Sequence, residues 1–87
     1  MERPQIKPEV ATLLVMSALL LQLRTKAGLS QDAMAFKVGI SQPYYSRIER
    51  NDQQPRIQEA SKICRVLGKA LKQDPKVLFL ELFYVVN

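Results

Sequence analysis

Apolar and polar residues alternate most clearly between residues 31 and 50, where the segment QDAMAFKVGISQPYYSRIER predicts two short helices joined by a tight turn. Ser30 can cap the first helix, because its hydroxyl can accept a hydrogen bond from an unpaired backbone N–H. Gly39 ends this helix, since glycine enters the left-handed region without a Cβ penalty. Ser41 caps the second helix, and Pro43 falls in its first turn, where a missing N–H costs little.

The same pattern separates buried from exposed positions in the two helices. Apolar side chains at helical spacing form the inward face: Met34, Ala35, Val38, Tyr45 and Ile48. The second helix leaves five residues facing outward: Gln42, Pro43, Tyr44, Ser46 and Arg47. Two helices joined this tightly, with a small residue where they approach, are typical of a helix-turn-helix. The physical use of that unit is to place its second helix in the major groove of DNA.

The two ends of the chain are apolar on almost every side. We expect a first helix from about Pro8 to Lys26 and a last helix that begins at Asp74-Pro75 and runs on through an apolar tail. A helix that is apolar all round must be covered all round. We favour a subunit interface as the cover, with burial of the first segment against the C-terminus as the alternative. The Tyr84–Val86 ending could instead be a short strand that pairs across a dimer.

Between these segments, a fourth helix is expected to open at Arg56 and to continue past Gly68 to about Gln73. Its core stripe is Ile57, Ala60, Ile63, Cys64 and Leu67. We therefore predict a compact, all-α, five-helix domain with extended apolar first and last helices. Residues 1–8 form an irregular arm, and residues 9–87 form one helix-turn-helix domain with a C-terminal oligomerisation segment.

Composition narrows the function classes. The formal net charge of +5 favours a polyanionic partner, although the bias is mild. The chain has no histidine and one cysteine, which excludes a zinc site of the usual Cys/His kind, an intrachain disulfide and a Ser–His or Cys–His nucleophile. We predict no enzyme activity, no metal and no cofactor. The apolar run 10–23 is too short to span a bilayer and lacks a cleavage site, so we expect a cytoplasmic protein.

The segments LRTKAGLSQDAMAFKVGISQPYYSRIER and PRIQEASKICRVLG, within Leu19–Leu67, resemble the XRE-type family of Cro/repressor helix-turn-helix regulators. The resemblance implies a lambda-repressor-like fold that binds double-stranded DNA. It also implies a structural salt bridge between Arg24 and Glu49. The residues it places at DNA are Gln31, Lys37, Gln42, Pro43, Tyr44, Ser46, Arg47, Arg50 and Arg56.

Each of these positions has an expected role. Bases are read by Gln42, whose amide can bond adenine, and by Arg47, whose guanidinium can bond guanine or else a phosphate. Tyr44 can hydrogen-bond a phosphate or pack on a base. Pro43 can offer only contact with a thymine methyl, and Ser46 lies at the margin. The DNA backbone is contacted by Gln31, Lys37 and Arg56. Gln31 also braces the residue that opens the third helix.

Two positions depart from the family pattern. Phe36 stands where relatives usually have a polar residue, so we expect it to meet the N-terminal arm or a partner. Asn51 stands where relatives often have glycine, and it can still end the third helix because asparagine tolerates left-handed geometry.

The sequence thus predicts a homodimeric transcriptional regulator, repressor or activator, of bacterial, phage or plasmid origin, which binds an inverted-repeat operator. Its dimer contact would use the apolar N-terminal and C-terminal helices. The alternatives are a protein-interaction adaptor that kept the helix-turn-helix as a scaffold, and an antitoxin that combines both roles.

Overall fold

The computed structural model describes residues 12–86, which form five helices and two short strands. In chain order the elements are β1 (Thr12–Val15), α1 (Ser17–Lys26), α2 (Gln31–Val38), α3 (Gln42–Glu49), α4 (Ile57–Leu71), α5 (Pro75–Leu82) and β2 (Phe83–Val86). The helical, five-helix prediction is confirmed. The predicted arm at residues 1–8 lies outside the described residues.

The helix-turn-helix forms for the local reasons that the sequence indicates. Ser30 Oγ accepts a hydrogen bond from the Ala33 N–H at 3.0 Å. Gly39 ends α2 with a φ of +86°, in the left-handed region. Ser41 Oγ then accepts a bond from the N–H of Tyr44 at 3.2 Å, at the start of α3. Caps and glycine together fix the angle between α2 and α3.

The predicted first helix is wrong at its beginning. Residues 12–15 form a strand, and α1 starts only at Ser17. β1 pairs with β2 in an antiparallel register that places Thr12 opposite Val86 and Val15 opposite Phe83. An apolar run without a polar side has no helical period, so it suits a strand as well as a helix. The part of the predicted helix at residues 8–11 lies outside the described residues.

The last helix is also shorter than predicted, because α5 ends at Leu82 and the following residues form β2. The alternative of a C-terminal strand is therefore confirmed, but its partner is β1 of the same chain. Leu13, Val15 and Phe83 are buried in the core, so burial against the C-terminus does cover part of the apolar first segment.

The core lies where α4 crosses beneath the helix-turn-helix and α5. The buried side chains of the predicted stripe on α4 are Ala60, Ile63, Cys64 and Leu67. Ile57 is wrong as a core residue, since it is 62% exposed. It shares a helix face with Ser61 and Arg65, and that face lines an open groove beside α5. Burial raises the pKa of the Cys64 thiol to about 12, which fits a structural cysteine.

Helix α4 continues through Gly68 to Leu71, as predicted. Gly68 is buried, and a Cβ at this position would lie 2.6 Å from the backbone oxygen of Gln73. The turn into α5 therefore closes directly over Gly68. Because Gly68 has no side chain, α5 can pack closely along α4, and Leu80 of α5 then lines the same groove as Ile57.

Candidate nucleic-acid interface

Helix α3 is held against α1 by a bidentate ion pair at its C-terminal end. Arg24 Nε and Nη2 donate to the two carboxylate oxygens of Glu49 at 2.8 and 3.0 Å. Both side chains are largely buried, at 11% and 6% exposure. Arg24 Nη1 also donates to the carbonyl oxygen of Leu29 at 2.9 Å. The predicted structural salt bridge is thus present, and it ties α1 to the end of α3.

Glu49 accepts two further hydrogen bonds. Tyr45 Oη donates to it at 2.6 Å and Gln31 Nε2 at 3.0 Å. Burial alone would raise the pKa of Glu49, but the bonds from Arg24, Tyr45 and Gln31 outweigh burial and hold that pKa below its usual value. Burial and the bond to the carboxylate raise the pKa of Tyr45. The buried Tyr45 hydroxyl has therefore found the partner that its position requires.

The network continues from Glu49 to the surface. Because Gln31 donates its amide N–H to Glu49, its Oε1 faces the opposite way and accepts a bond from Gln42 Nε2 at 2.8 Å. The predicted bracing of the first residue of α3 by Gln31 is confirmed. Gln42 keeps its Oε1 and its second N–H for other partners. Those are the two groups that bidentate recognition of adenine uses.

Tyr44 is less exposed than its outward position predicts. It is half-buried, and its hydroxyl donates to Glu59 Oε1 at 2.8 Å. Burial and this bond raise the pKa of Tyr44. The hydroxyl of Tyr44 is thus bonded to Glu59 at the start of α4. The ring instead lies beside Arg47, whose Cζ is 6.0 Å from the ring centroid.

The other residues predicted to contact DNA differ in their exposure and in their bonding partners. Pro43, Arg47 and Lys37 are exposed. Arg50 donates to Ser46 Oγ at 3.0 Å and to Asp52 at 3.1 Å, so these side chains form a cluster at the end of α3. Lys37 shares no hydrogen bond or ion pair with the other predicted residues in the part of the chain that the structure describes.

Arg56 is the N-cap residue of α4, and Glu59 at the third helical position bonds it. Its backbone N–H donates to Glu59 Oε1 at 2.8 Å, and its exposed guanidinium lies 3.3 Å from Glu59 Oε2. Glu59 therefore supports both Arg56 and Tyr44, a role that sequence reasoning missed. The available signal was the position of Glu59 alone, since a glutamate at the third helical position can reach back to the N–H of the N-cap residue.

Phe36 is 85% exposed on α2, and its side chain is not among those that pack on the core of residues 12–86. The N-terminal arm expected to meet it lies outside that range. Asn51 has a φ of 64°, which confirms the expected left-handed end of α3. Its side chain also reaches β1, a contact that no local pattern indicates.

Helix α3 is short and capped, its outer face is polar, and a buried network holds it in place on a basic protein. These features are typical of a helix-turn-helix DNA-binding domain. A family model described as Helix-turn-helix matches residues 20–73, and the chain belongs to this family of XRE/Cro-type DNA-binding regulators. No curated protein matches the chain significantly. Across residues 12–86, no helix has the length and apolar character needed to cross a membrane.

Proposed function

We propose that the protein is a homodimeric transcriptional regulator that binds an inverted-repeat operator in a sequence-specific manner. The observation that carries this proposal is the chain of hydrogen bonds from Glu49 through Gln31 to Gln42. It fixes the orientation of a side-chain amide on the outer face of α3 before DNA binds. Preorganised groups lose less conformational freedom on binding and therefore recognise their target better.

In this proposal, Gln42 and Arg47 read base edges in the major groove. Pro43 contacts a thymine methyl, and Ser46 lies at the edge of the groove. Tyr44 supports the guanidinium of Arg47 through its ring rather than bonding DNA with its hydroxyl. Contacts to the DNA backbone, which set the register, come from Gln31, Lys37, Arg50 and Arg56.

The proposed dimer contact is the outer face of α5 with the neighbouring edge of α4. Leu80 is 80% exposed, and Val77 and Ile57 are also exposed. Ile57 and Leu80 line a groove of about 620 Å³ between the two helices. An exposed apolar surface of this kind is typical of an interface. Two copies related by a two-fold axis would place their α3 helices in successive major grooves, roughly 34 Å apart.

The experiment that tests the function is selection of bound duplexes from a random-sequence pool, followed by affinity measurements over a range of salt concentrations. We expect an enriched inverted repeat with half-sites about one helical turn apart. Affinity should fall steeply with salt, because basic side chains displace counterions from phosphates. Failure to enrich any sequence, even at low salt, would contradict the proposal.

The exposed Phe36 favours a second candidate, in which this surface binds another protein. An adaptor of this kind would bind no duplex in the same selection. An antitoxin would both enrich an inverted repeat and co-purify with a protein expressed from a neighbouring gene. We propose a bacterial, phage or plasmid origin and a cytoplasmic location in each case.

Leu80→Glu tests the dimer contact. We expect the variant to be monomeric and to lose most of its operator affinity, because a carboxylate in an apolar interface is costly to desolvate. Its stability should change by no more than about 0.5 kcal/mol, since Leu80 is exposed in the single chain. Analytical ultracentrifugation measures the oligomeric state. Gln22→Glu, which adds the same charge at an exposed position of α1, is the control. A dimeric Leu80→Glu variant would exclude this interface.

A further inference from the structure

Asn51 connects the end of the recognition helix to the terminal sheet. Its Oδ1 accepts a hydrogen bond from the N–H of Val15 at 2.9 Å, and its Nδ2 donates to the carbonyl oxygen of Val15 at 2.7 Å. Nδ2 also lies 3.0 Å from Ser17 Oγ, which accepts a third bond. One side chain directly after α3 therefore holds both backbone groups of a strand residue that is 36 positions away in the sequence.

The geometry of the sheet explains why these backbone groups are available. The N–H of Met16 donates to the carbonyl oxygen of Leu82 at 2.7 Å, which continues the pairing of β1 with β2. In an antiparallel pair, successive residues point their backbone groups to opposite sides. The N–H and C=O of Val15 therefore point away from β2, toward the outer edge of β1. Asn51 occupies the place that a residue of a third strand would take.

Asparagine suits both requirements of this position. The backbone has a φ of 64°, which asparagine tolerates better than most residues with a side chain. Its amide carries an acceptor and a donor side by side, as a backbone peptide does. Glycine would accept the backbone conformation but would lose all three bonds. Aspartate would keep the acceptor but would turn a second oxygen toward the carbonyl of Val15.

We propose that Asn51 is a positioning residue that sets the angle of the recognition helix relative to the dimer contact, and thereby the preferred spacing of the two operator half-sites. The connection runs from α5 into β2 without a break, across the sheet to β1, and through Asn51 to the end of α3. The Arg24–Glu49 pair holds the same end of α3 against α1. This inference rests on the proposed dimeric regulator.

The test uses the full-length protein and the operator that wild type selects, with half-site spacing changed by one base pair in either direction. We expect each change to cost wild type about tenfold in affinity, comparable with one mismatched base pair. For Asn51→Gly we expect the same changes in spacing to reduce affinity by about threefold or less, because α3 can then adapt its angle. A smaller preference for the selected spacing should remain. Asn51→Asp should relax the preference as well. Gln54→Ala, at an exposed residue of the same loop, should keep the spacing preference of wild type.

A second measurement follows the bonds themselves. In Asn51→Gly, hydrogen exchange of the Val15 amide should accelerate about tenfold, the loss of roughly one hydrogen bond. The Met16 amide, which is bonded to Leu82, should keep its protection. Circular dichroism establishes that the variant is folded at the temperature of the binding assay.

The outcomes separate the two proposals. A wild-type protein that enriches no duplex overturns the regulator and the positioning role together. A wild-type protein that discriminates spacing, with Asn51→Gly discriminating equally, overturns the positioning role alone. Unchanged exchange of Val15 in Asn51→Gly has the same consequence, since the bonds would then not restrain the strand.

Discussion

Replacing Glu49 with glutamine is expected to destabilise the protein by about 3–5 kcal/mol, because it leaves the guanidinium of Arg24 buried without a counter-charge. The glutamine amide also places a donor against the donors of Arg24, Tyr45 and Gln31, which all bond the carboxylate. Native proteins have total stabilities of about 5–15 kcal/mol, so this loss is a large fraction of the stability of a small domain. Urea denaturation followed by circular dichroism measures the difference.

Asp52→Asn is the matched control, since it removes one partner of the exposed Arg50–Asp52 pair. Exposed ion pairs contribute about 0–1 kcal/mol, so this variant should be nearly as stable as wild type. Adding Arg24→Met to Glu49→Gln should recover part of the loss, because no unpaired charge is then buried. Equal destabilisation by Asp52→Asn and Glu49→Gln would contradict the assigned importance of the buried pair.

The free energy of unfolding of wild type is expected to depend on pH through the ionisation of Glu49. The pKa of Glu49 is held below its usual value in the folded state, so its ionised form stabilises the fold. This contribution is complete above the ordinary value of 4.5 and is lost as the pH falls through the lower folded value. The difference in unfolding free energy between wild type and Glu49→Gln should therefore narrow as the solution is acidified below about 4.5.

The middle of the fold could be predicted because its signals are local. Ser30, Gly39 and Ser41 each act within a few residues, through caps and one left-handed position. The ends could not be predicted in the same way. Whether residues 12–15 form a helix or a strand depends on a partner about seventy positions later. The apolar run before Ser17 has no period that would distinguish the two.

The candidate site shows the same division. The Arg24–Glu49 pair and the bond between Gln31 and Gln42 followed from the family resemblance, and the structure contains both. The partner of the Tyr44 hydroxyl did not follow, because it depends on how the loop 50–56 places Glu59 beside α3. The sequence indicated that Asn51 could take the left-handed backbone conformation at the end of α3. The contact between its side chain and Val15 could not be predicted, because it requires a strand that the sequence did not reveal.

Arg47 on the outer face of α3 is the residue that we expect to matter most for base recognition. In Arg47→Ala we expect operator affinity to fall by about 1–3 kcal/mol and the preference at the contacted base pair to disappear, since a bidentate guanidinium–guanine contact would be lost. Lys37→Ala should weaken binding to operator and to unrelated duplexes by the same factor, and should reduce the salt slope by about 1, because an ammonium on a phosphate carries no sequence information. Affinities for the selected operator, its single-base variants and a scrambled duplex measure both effects.

Arg47 and Lys37 each carry one exposed positive charge. A difference between the effects of the two alanine substitutions on DNA binding therefore reflects the geometry of the contacts rather than charge. Lys69→Ala removes the same charge from the exposed face of α4 and should leave affinity nearly unchanged. Tyr44→Phe adds a further distinction: it keeps the ring beside Arg47 but removes the bond to Glu59, so base preference should persist if the ring is what positions the guanidinium. Equal, sequence-independent losses from Arg47→Ala and Lys37→Ala would mean that α3 lies on the DNA backbone rather than in the groove. The orientation that Gln31 imposes on Gln42 would then serve the fold instead of base recognition.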